Sequence, residues 1–226
     1  MTAPPGFFVA GTDTGVGKTR VACALVRGFR ARGIDVGAMK PVETGVGEAG
    51  PLDALALQAA AGDTDPLDDV CPLRFALPAA PTVAAAAEGR SVEFWALLRA
   101  FERVKARHDC VIVEGAGGLL VPVDAQHCMA DLARELGLPV LVVARAALGT
   151  INHTLLTLEA AVARGLSVAG VVISHADGPL SAADAANLGA LRDALGDAQV
   201  GELPPLAEGA EPAPDAIDFD ALIDRS

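Results

Sequence analysis

An apolar run, Phe7-Phe8-Val9-Ala10, passes directly into Gly11-Thr12-Asp13-Thr14-Gly15-Val16-Gly17-Lys18-Thr19. A strand that ends in a glycine-rich loop and opens a helix with Gly-Lys-Thr builds a phosphate cradle. Successive backbone N–H groups converge on an anion, and the helix N-terminus adds partial positive charge. Lys18 is placed to reach terminal phosphates, and the Thr19 hydroxyl suits a magnesium ion. A tight turn would need the glycines but not Lys-Thr at the helix start, so the loop reads as nucleotide binding. It departs from the common spacing, which has four residues between the first glycine and Gly-Lys. Here five separate Gly11 from Gly17, and Thr12 stands where the first glycine would be.

Beyond this loop, short apolar runs alternate with longer helical patterns. Strands are expected at Phe7 to Gly11, Asp35 to Met39, Cys110 to Val113, Val140 to Ala144, Val168 to Ser174 and Ala198 to Gly201. Helices are expected at Lys18 to Arg32, Leu52 to Ala61, Ser91 to Arg107 (with Ser91 as N-cap), Met129 to Leu136, Thr150 to Arg164 and Ala182 to Leu195. Residues 63 to 82, rich in Pro and Asp, read as irregular. The pattern predicts an α/β fold: a doubly wound, mostly parallel sheet with helices on both faces, like that of P-loop nucleotide hydrolases. No linker divides the chain, so residues 1–226 read as a single domain, with 201–226 an acidic, Pro-rich loop or tail. In such sheets ligands bind at the carboxyl ends of the strands. One rim thereby collects loop 11–19, Lys40 to Gly45, Glu114 to Gly118, Arg145 to Asn152 and the segment after Ser174.

Apolar residues make up 52 % of the 226, enough for a substantial core. The formal charge of −12 argues against a partner that coats nucleic acid. Residues 201–226 hold seven of the 29 acidic residues and one of the 17 basic ones, a surplus that suits solubility. Cys23, Cys71, Cys110 and Cys128 form no Cys-x-x-Cys pair, so neither a zinc site nor a thioredoxin-type motif is indicated. No leader pattern and no membrane-spanning apolar run is found, so a cytoplasmic location is expected. Only three of the 17 basic residues are lysines, Lys18, Lys40 and Lys105, and the first two fall at expected strand ends on the rim. Near a phosphate, a compact ammonium is not replaced by a guanidinium.

Three more segments carry candidate chemistry. In Lys40-Pro41-Val42-Glu43-Thr44-Gly45, Lys40 is either a surface lysine or a second ammonium flanking the anionic centre of Lys18; the residue types leave both open. In Val113-Glu114-Gly115-Ala116-Gly117-Gly118, a strand delivers a carboxylate to the rim, where such an acid either serves magnesium, as in P-loop proteins, or only caps a helix or turn. Asp53, at a helix start, is a further carboxylate or only an N-cap. In Leu148-Gly149-Thr150-Ile151-Asn152-His153-Thr154, a helix start offers a second anion site. No Ser or Cys nucleophile motif accompanies His153, which reads as a packed or hydrogen-bonding residue.

Thr12 to Thr19, Lys40-Pro41-Val42-x-Thr44-Gly45, Glu114-Gly115-Ala116-Gly117-Gly118 and Leu148 to Thr154 together resemble the dethiobiotin synthetase family in order and spacing, across roughly residues 7 to 206. The resemblance implies a magnesium-dependent enzyme that uses ATP and CO2 (or bicarbonate) to close a cyclic urea on 7,8-diaminopelargonic acid, through a carbamate and a carbamic–phosphoric anhydride. It implies catalytic roles for Thr14, Lys18 and Lys40, and magnesium ligation by Thr19, Asp53 and Glu114. Nucleotide contacts fall to Gly15, Val16, Gly17, Lys18, Thr19, Arg20, Asp53, Glu114, Gly115, Ala116 and Gly117. Ser174, His175, Pro204, Pro205, Leu206 and Glu211 would surround the base. Substrate contacts fall to Thr14, Lys40 and Thr44, and to Gly149, Thr150, Ile151 and Asn152 across a homodimer interface. Many members carry Asn where Ser174 stands. A lone hydroxyl cannot make the amide's bidentate contact, so weak discrimination among nucleoside triphosphates is expected.

The alternative is a partition-type or scaffold ATPase of the same fold. Such proteins carry a second lysine early in the loop and often a basic or amphipathic membrane-binding segment. Thr12 and Asp13 in the early loop and an acidic C-terminal stretch disfavour it, and neither nucleic acid nor membrane is expected as a partner.

Overall fold

The computed structural model describes residues 4–176, 180–205, 210, 212, 213 and 215–225. A six-stranded sheet, ordered β2-β5-β1-β6-β7-β8, is parallel throughout. Its strands are β1 (Gly6–Gly11), β2 (Val36–Met39), β5 (Cys110–Gly118), β6 (Val140–Arg145), β7 (Val168–Ser174) and β8 (Gln199–Leu203). Each central strand divides its side chains between two cores. In β1, Phe7 and Val9 face one core, with α1 (Lys18–Ala31) and α2 (Leu52–Ala61); Phe8 and Ala10 face the other, with α5 (Phe94–Lys105), α6 (Met129–Leu136), α7 (Thr150–Ala163) and α8 (Ala182–Leu195). Burial on both faces explains why these strands read as continuous apolar runs. The switch point of the sheet lies between β1 and its neighbours, so the loop after β1 opens into the ligand crevice.

Several expected boundaries shift. Residues 63–82 are not irregular: they hold α3 (Leu67–Val70), β4 (Leu73–Phe75) and the start of α4 (Pro81–Ala87). β4 pairs in parallel with β3 (Val42–Thr44) in a separate two-stranded sheet beside the rim. Three-residue strands are too short to show a period, which is why the pattern hid them. The helix expected from Ser91 begins at Phe94, and Ser91 is exposed outside it. β5 runs on through its glycines to Gly118, where pairing with Gly11 resumes past an irregularity, so Glu114 lies inside a strand rather than at its end. The C-terminal stretch is not merely a tail. α9 (Phe219–Asp224) buries Phe219 and Leu222 in the core beside α1. All four cysteines are buried and reduced, and burial pushes the thiols of Cys71 and Cys110 up to about 12. Among the described residues, no helix is long and apolar enough to cross a membrane.

Candidate active site

The loop between β1 and α1 owes its shape to glycines at two left-handed positions, Gly15 (φ 74°) and Gly17 (φ 90°), where a Cβ would be strained. Asp13 organises its crest. The Asp13 carboxylate accepts from the Thr14 N–H at 2.7 Å, and its carbonyl accepts from Lys18 Nζ at 3.0 Å. From the end of β6, Arg145 Nη2 donates to the Thr14 carbonyl at 2.9 Å. The longer loop is therefore held from outside as well as from its own ends.

Lys40 follows β2 and is buried, 4 % exposed. Its Nζ lies 2.5 Å from Glu114 Oε1 and 2.9 Å from Asp53 Oδ2. The Thr19 hydroxyl donates to the same Glu114 oxygen at 3.0 Å. Burial works against the Lys40 ammonium, but the Glu114 and Asp53 charges outweigh it and hold its pKa above the ordinary lysine value. Burial likewise opposes ionisation of Asp53, and Lys40 overcomes it, leaving that acid below the usual range. In Glu114, wholly buried, desolvation prevails and its pKa is raised despite Lys40. Lys18 differs from Lys40. Desolvation, reinforced by the charge of Lys40, lowers its pKa to about 8.

Asp53 is not the cap of its helix. Pro51 holds that position, and the orphan N–H groups of Asp53 and Ala54 are taken by the buried Glu43 carboxylate at 3.1 and 2.9 Å. Glu43 thus aims α2 so that Asp53 points at Lys40. These groups line a cleft of about 630 Å³ that brings together Thr14, Gly15, Gly17, Lys18, Thr19, Arg20, Lys40, Thr44, Asp53, Glu114, Ala116 and Gly117. Its far wall, Pro78 to Pro81, comes from the segment expected to be irregular.

A magnesium ion fits this set. Glu114 Oε2 is a buried acceptor without a hydrogen-bond partner, and Thr19 and Asp53 add hard oxygens beside it. Among the described residues, no group of three or more His, Cys, Asp or Glu is arranged to hold a metal; a set here would consist of two carboxylates and the Thr19 hydroxyl.

A family model described as an AAA domain matches residues 5–213. The chain is 54 % identical over 189 residues, 81 % of its length and 85 % of the relative's, to the ATP-dependent dethiobiotin synthetase BioD of Anaeromyxobacter dehalogenans strain 2CP-C. It is 45 % identical over 217 residues, 94 % of this chain and 96 % of the relative, to the ATP-dependent dethiobiotin synthetase BioD of Aromatoleum aromaticum. The chain belongs to the ATP-dependent dethiobiotin synthetase family. Among solved structures, the signal recognition particle receptor FtsY of Elizabethkingia anophelis, in complex with GDP, matches all of this chain and 65 % of its own length, with a TM-score of 0.51 at 16 % identity. At that identity the likeness concerns the fold alone, and the expected P-loop α/β architecture is the one observed.

The remaining positions expected from the resemblance to contact substrate or base do not line this cleft. Gly149 (φ 90°) caps α7; Thr150 is buried with its hydroxyl 3.5 Å from that of Thr154, while Asn152 and His153 are exposed. Of the two expectations for His153, packing or hydrogen bonding, packing does not hold: the residue is exposed and borders a separate shallow cleft with Thr12 and Leu156. Ser174 is fully buried, its Oγ without a hydrogen-bond partner, and a Cβ on Gly17 would come within 2.4 Å of that oxygen. The His175 ring lies 2.6 Å from Glu202, which also pairs with Arg192. Arg20 bridges the two strand ends beside it, donating to the Pro204 carbonyl at 3.0 Å and to that of His175 at 3.5 Å. Pro204 and Pro205 are exposed; Leu206 and Glu211 lie outside the described residues. Sequence reasoning missed the roles of Glu43, Asp13 and Arg145. Glu43 and Asp13 stood inside motifs already singled out, and Arg145 opened a rim segment, but none carried a signal of its partner.

Proposed function

We propose that the chain converts 7,8-diaminopelargonic acid, CO2 and ATP to dethiobiotin, ADP and phosphate, the penultimate step of biotin synthesis. The observation that carries this reading is the convergence of Lys18 and Lys40 with Thr19, Asp53 and Glu114 on one cleft, in a chain half identical to dethiobiotin synthetases. CO2 adds to one amine of the substrate to give a carbamate. A carbamate oxygen attacks the γ-phosphate of ATP, forming a carbamic–phosphoric anhydride and releasing ADP. The second amine then attacks the activated carbonyl, the ring closes, and phosphate leaves.

Lys40 stays charged at any working pH and is set to stabilise the carbamate and the developing phosphoryl charge. Lys18, reaching from the phosphate loop, shares that charge from the nucleotide side. Thr14 and Thr44 flank the cleft and would orient the diamine and its carbamate; such fixed placement offsets much of the entropy lost in gathering three reactants. Thr19, Asp53 and Glu114 would hold Mg²⁺, which supplies charge neutralisation to the phosphates. The turn Gly149 to Asn152 would serve the substrate carboxylate of a second subunit. In support, the turn lies outside the cleft of its own chain, and Leu148, Leu155, Leu156 and Val162 on and before α7 are exposed. A cytoplasmic setting would supply ATP and bicarbonate together.

Incubation with the diamine, bicarbonate, Mg²⁺ and ATP, with mass detection of the cyclic urea, tests the reading. Folded protein that makes no such product overturns it.

A further inference from the structure

We infer that Glu43 is a positioning residue for the divalent metal: it holds Asp53 where that carboxylate serves as a ligand beside Thr19 and Glu114. The inference rests on the reading above, in which those three groups hold Mg²⁺. Glu43 lies three residues past Lys40, in the strand β3 that pairs with β4, and it is 7 % exposed. Its Oε1 accepts from the Asp53 N–H at 3.1 Å and its Oε2 from the Ala54 N–H at 2.9 Å. A helix end is ordinarily satisfied by a side chain at its own N-cap. Here Pro51 holds that position and has no acceptor to offer, so the grip on α2 comes from another element.

The covalent path from Glu43 to Asp53 fixes little. Residues 44–52 lie between them, with glycine at 45, 47 and 50, and Gly45 and Gly50 are in the left-handed region at φ 78° and 84°. Glycine admits many backbone shapes. Packing of α2 resists a slide along its axis only weakly: of its buried residues, Ala54, Leu57, Ala60 and Ala61, just Leu57 is large. The Glu43 carboxylate bypasses both. Lys40 is pinned at its backbone, its N–H donating to the Val70 carbonyl at 2.7 Å. From Lys40 the chain runs through Pro41 and Val42 to Glu43, whose hydrogen bonds reach Asp53, and Asp53 Oδ2 returns to Lys40 Nζ at 2.9 Å. This closed ring stands against Glu114, whose Oε1 meets both Lys40 and Thr19 and whose Oε2 is open. Glu43 thereby sets where Asp53 stands relative to that open oxygen. Groups that orient metal ligands govern affinity nearly as the ligands do.

Mn²⁺ is the probe, titrated into the chain saturated with ADP and read by electron paramagnetic resonance. Glu43→Ala is expected to weaken Mn²⁺ about tenfold. ADP affinity with metal chelated should change less than about twofold, because no phosphate contact is lost. Adding Pro51→Ser to Glu43→Ala supplies a local acceptor for the same helix end. Thermal unfolding should then return towards that of the unaltered chain, yet Mn²⁺ should stay weak, since a serine before α2 does not tie the helix to β3. Recovery of Mn²⁺ affinity in the double variant would reduce Glu43 to a cap and overturn the inference, as would unchanged affinity in Glu43→Ala. If Glu43→Ala does not fold, Glu43→Gln carries the test, keeping the volume and one acceptor: a loss of about threefold supports the inference, and no loss overturns it. Asp53→Asn separates the inference from the reading beneath it. If the unaltered chain with ADP binds no Mn²⁺, or Asp53→Asn binds it as tightly, the ligand role of Asp53 falls, and this inference with it.

Discussion

The two halves of the rim are built on opposite plans. Around Lys40, most charge is answered within the chain: the buried ammonium by two carboxylates, one oxygen of the buried Glu114 by Thr19 as well, and the helix bearing the half-exposed Asp53 by Glu43, with only the second Glu114 oxygen left open. Around Gly149, little is answered. Asn152 and His153 face solvent, and Leu148 is 77 % and Val162 71 % exposed. A helix that is apolar on its outer face must cover that face elsewhere. On the proposed reading, the first half holds chemistry that one chain assembles alone, and the second half binding that a second copy would complete.

The sharpest way to break this comparison is at Lys40. Lys40→Met, which keeps the stem and removes the charge, should lower turnover about 10²- to 10³-fold, the range lost with one preorganised charge stabiliser, while ADP affinity stays close to normal. Steady-state rates beside calorimetry decide it; an active variant removes Lys40 from its role. On the other half, Leu156→Asp puts a charge on the exposed face of α7. If the proposed homodimer forms through this face, sedimentation should show the unaltered chain as a dimer and the variant as a monomer, and turnover should fall at least about tenfold with ADP binding kept, because one desolvated charge outweighs the burial of a leucine. A fully active monomer would sever the turn from the substrate site.

A subtler effect concerns Lys18. Its pKa near 8 means that the free chain begins to lose this proton as pH rises through 8, whereas a bound phosphate favours the charged form. ADP binding at pH 9 should then take up close to one proton, and at pH 6.5 about none, in calorimetry across buffers of different ionisation enthalpy. Uptake that does not change with pH, or that persists in Lys18→Met, would assign the proton elsewhere. The smallest effect is expected at the base: initial rates with ATP, CTP and GTP should lie within about tenfold of one another, since a single hydroxyl at Ser174 cannot make the amide's paired contact. A strong preference for ATP would refute it.

The strands and helices with long apolar patterns were legible in the sequence, and so was the placing of Lys18, Lys40 and Glu114 on one rim; the residues themselves left Asp53 as a further carboxylate or an N-cap. What was not legible depended on partners far along the chain. Glu43 caps a helix ten residues on, and Arg145 reaches a carbonyl 131 residues away, and neither leaves a local period or spacing. Strands of three residues, β3 and β4, have too few positions to alternate. Phe219 and Leu222 did carry helical spacing, but the acidic, proline-bearing stretch around them masked it.

Residues 216–218 turn back along β8, the Glu202 N–H donating to the Ala216 carbonyl at 2.9 Å and the Asp218 N–H to that of Val200 at 2.7 Å. A parallel sheet that ends in an open strand presents unpaired N–H and C=O groups to any other chain. Here the Ala216 carbonyl and the Asp218 amide, with the Gly201–Ile217 bridge, occupy that border of β8. Copies of the chain are thereby discouraged from joining sheet to sheet along it.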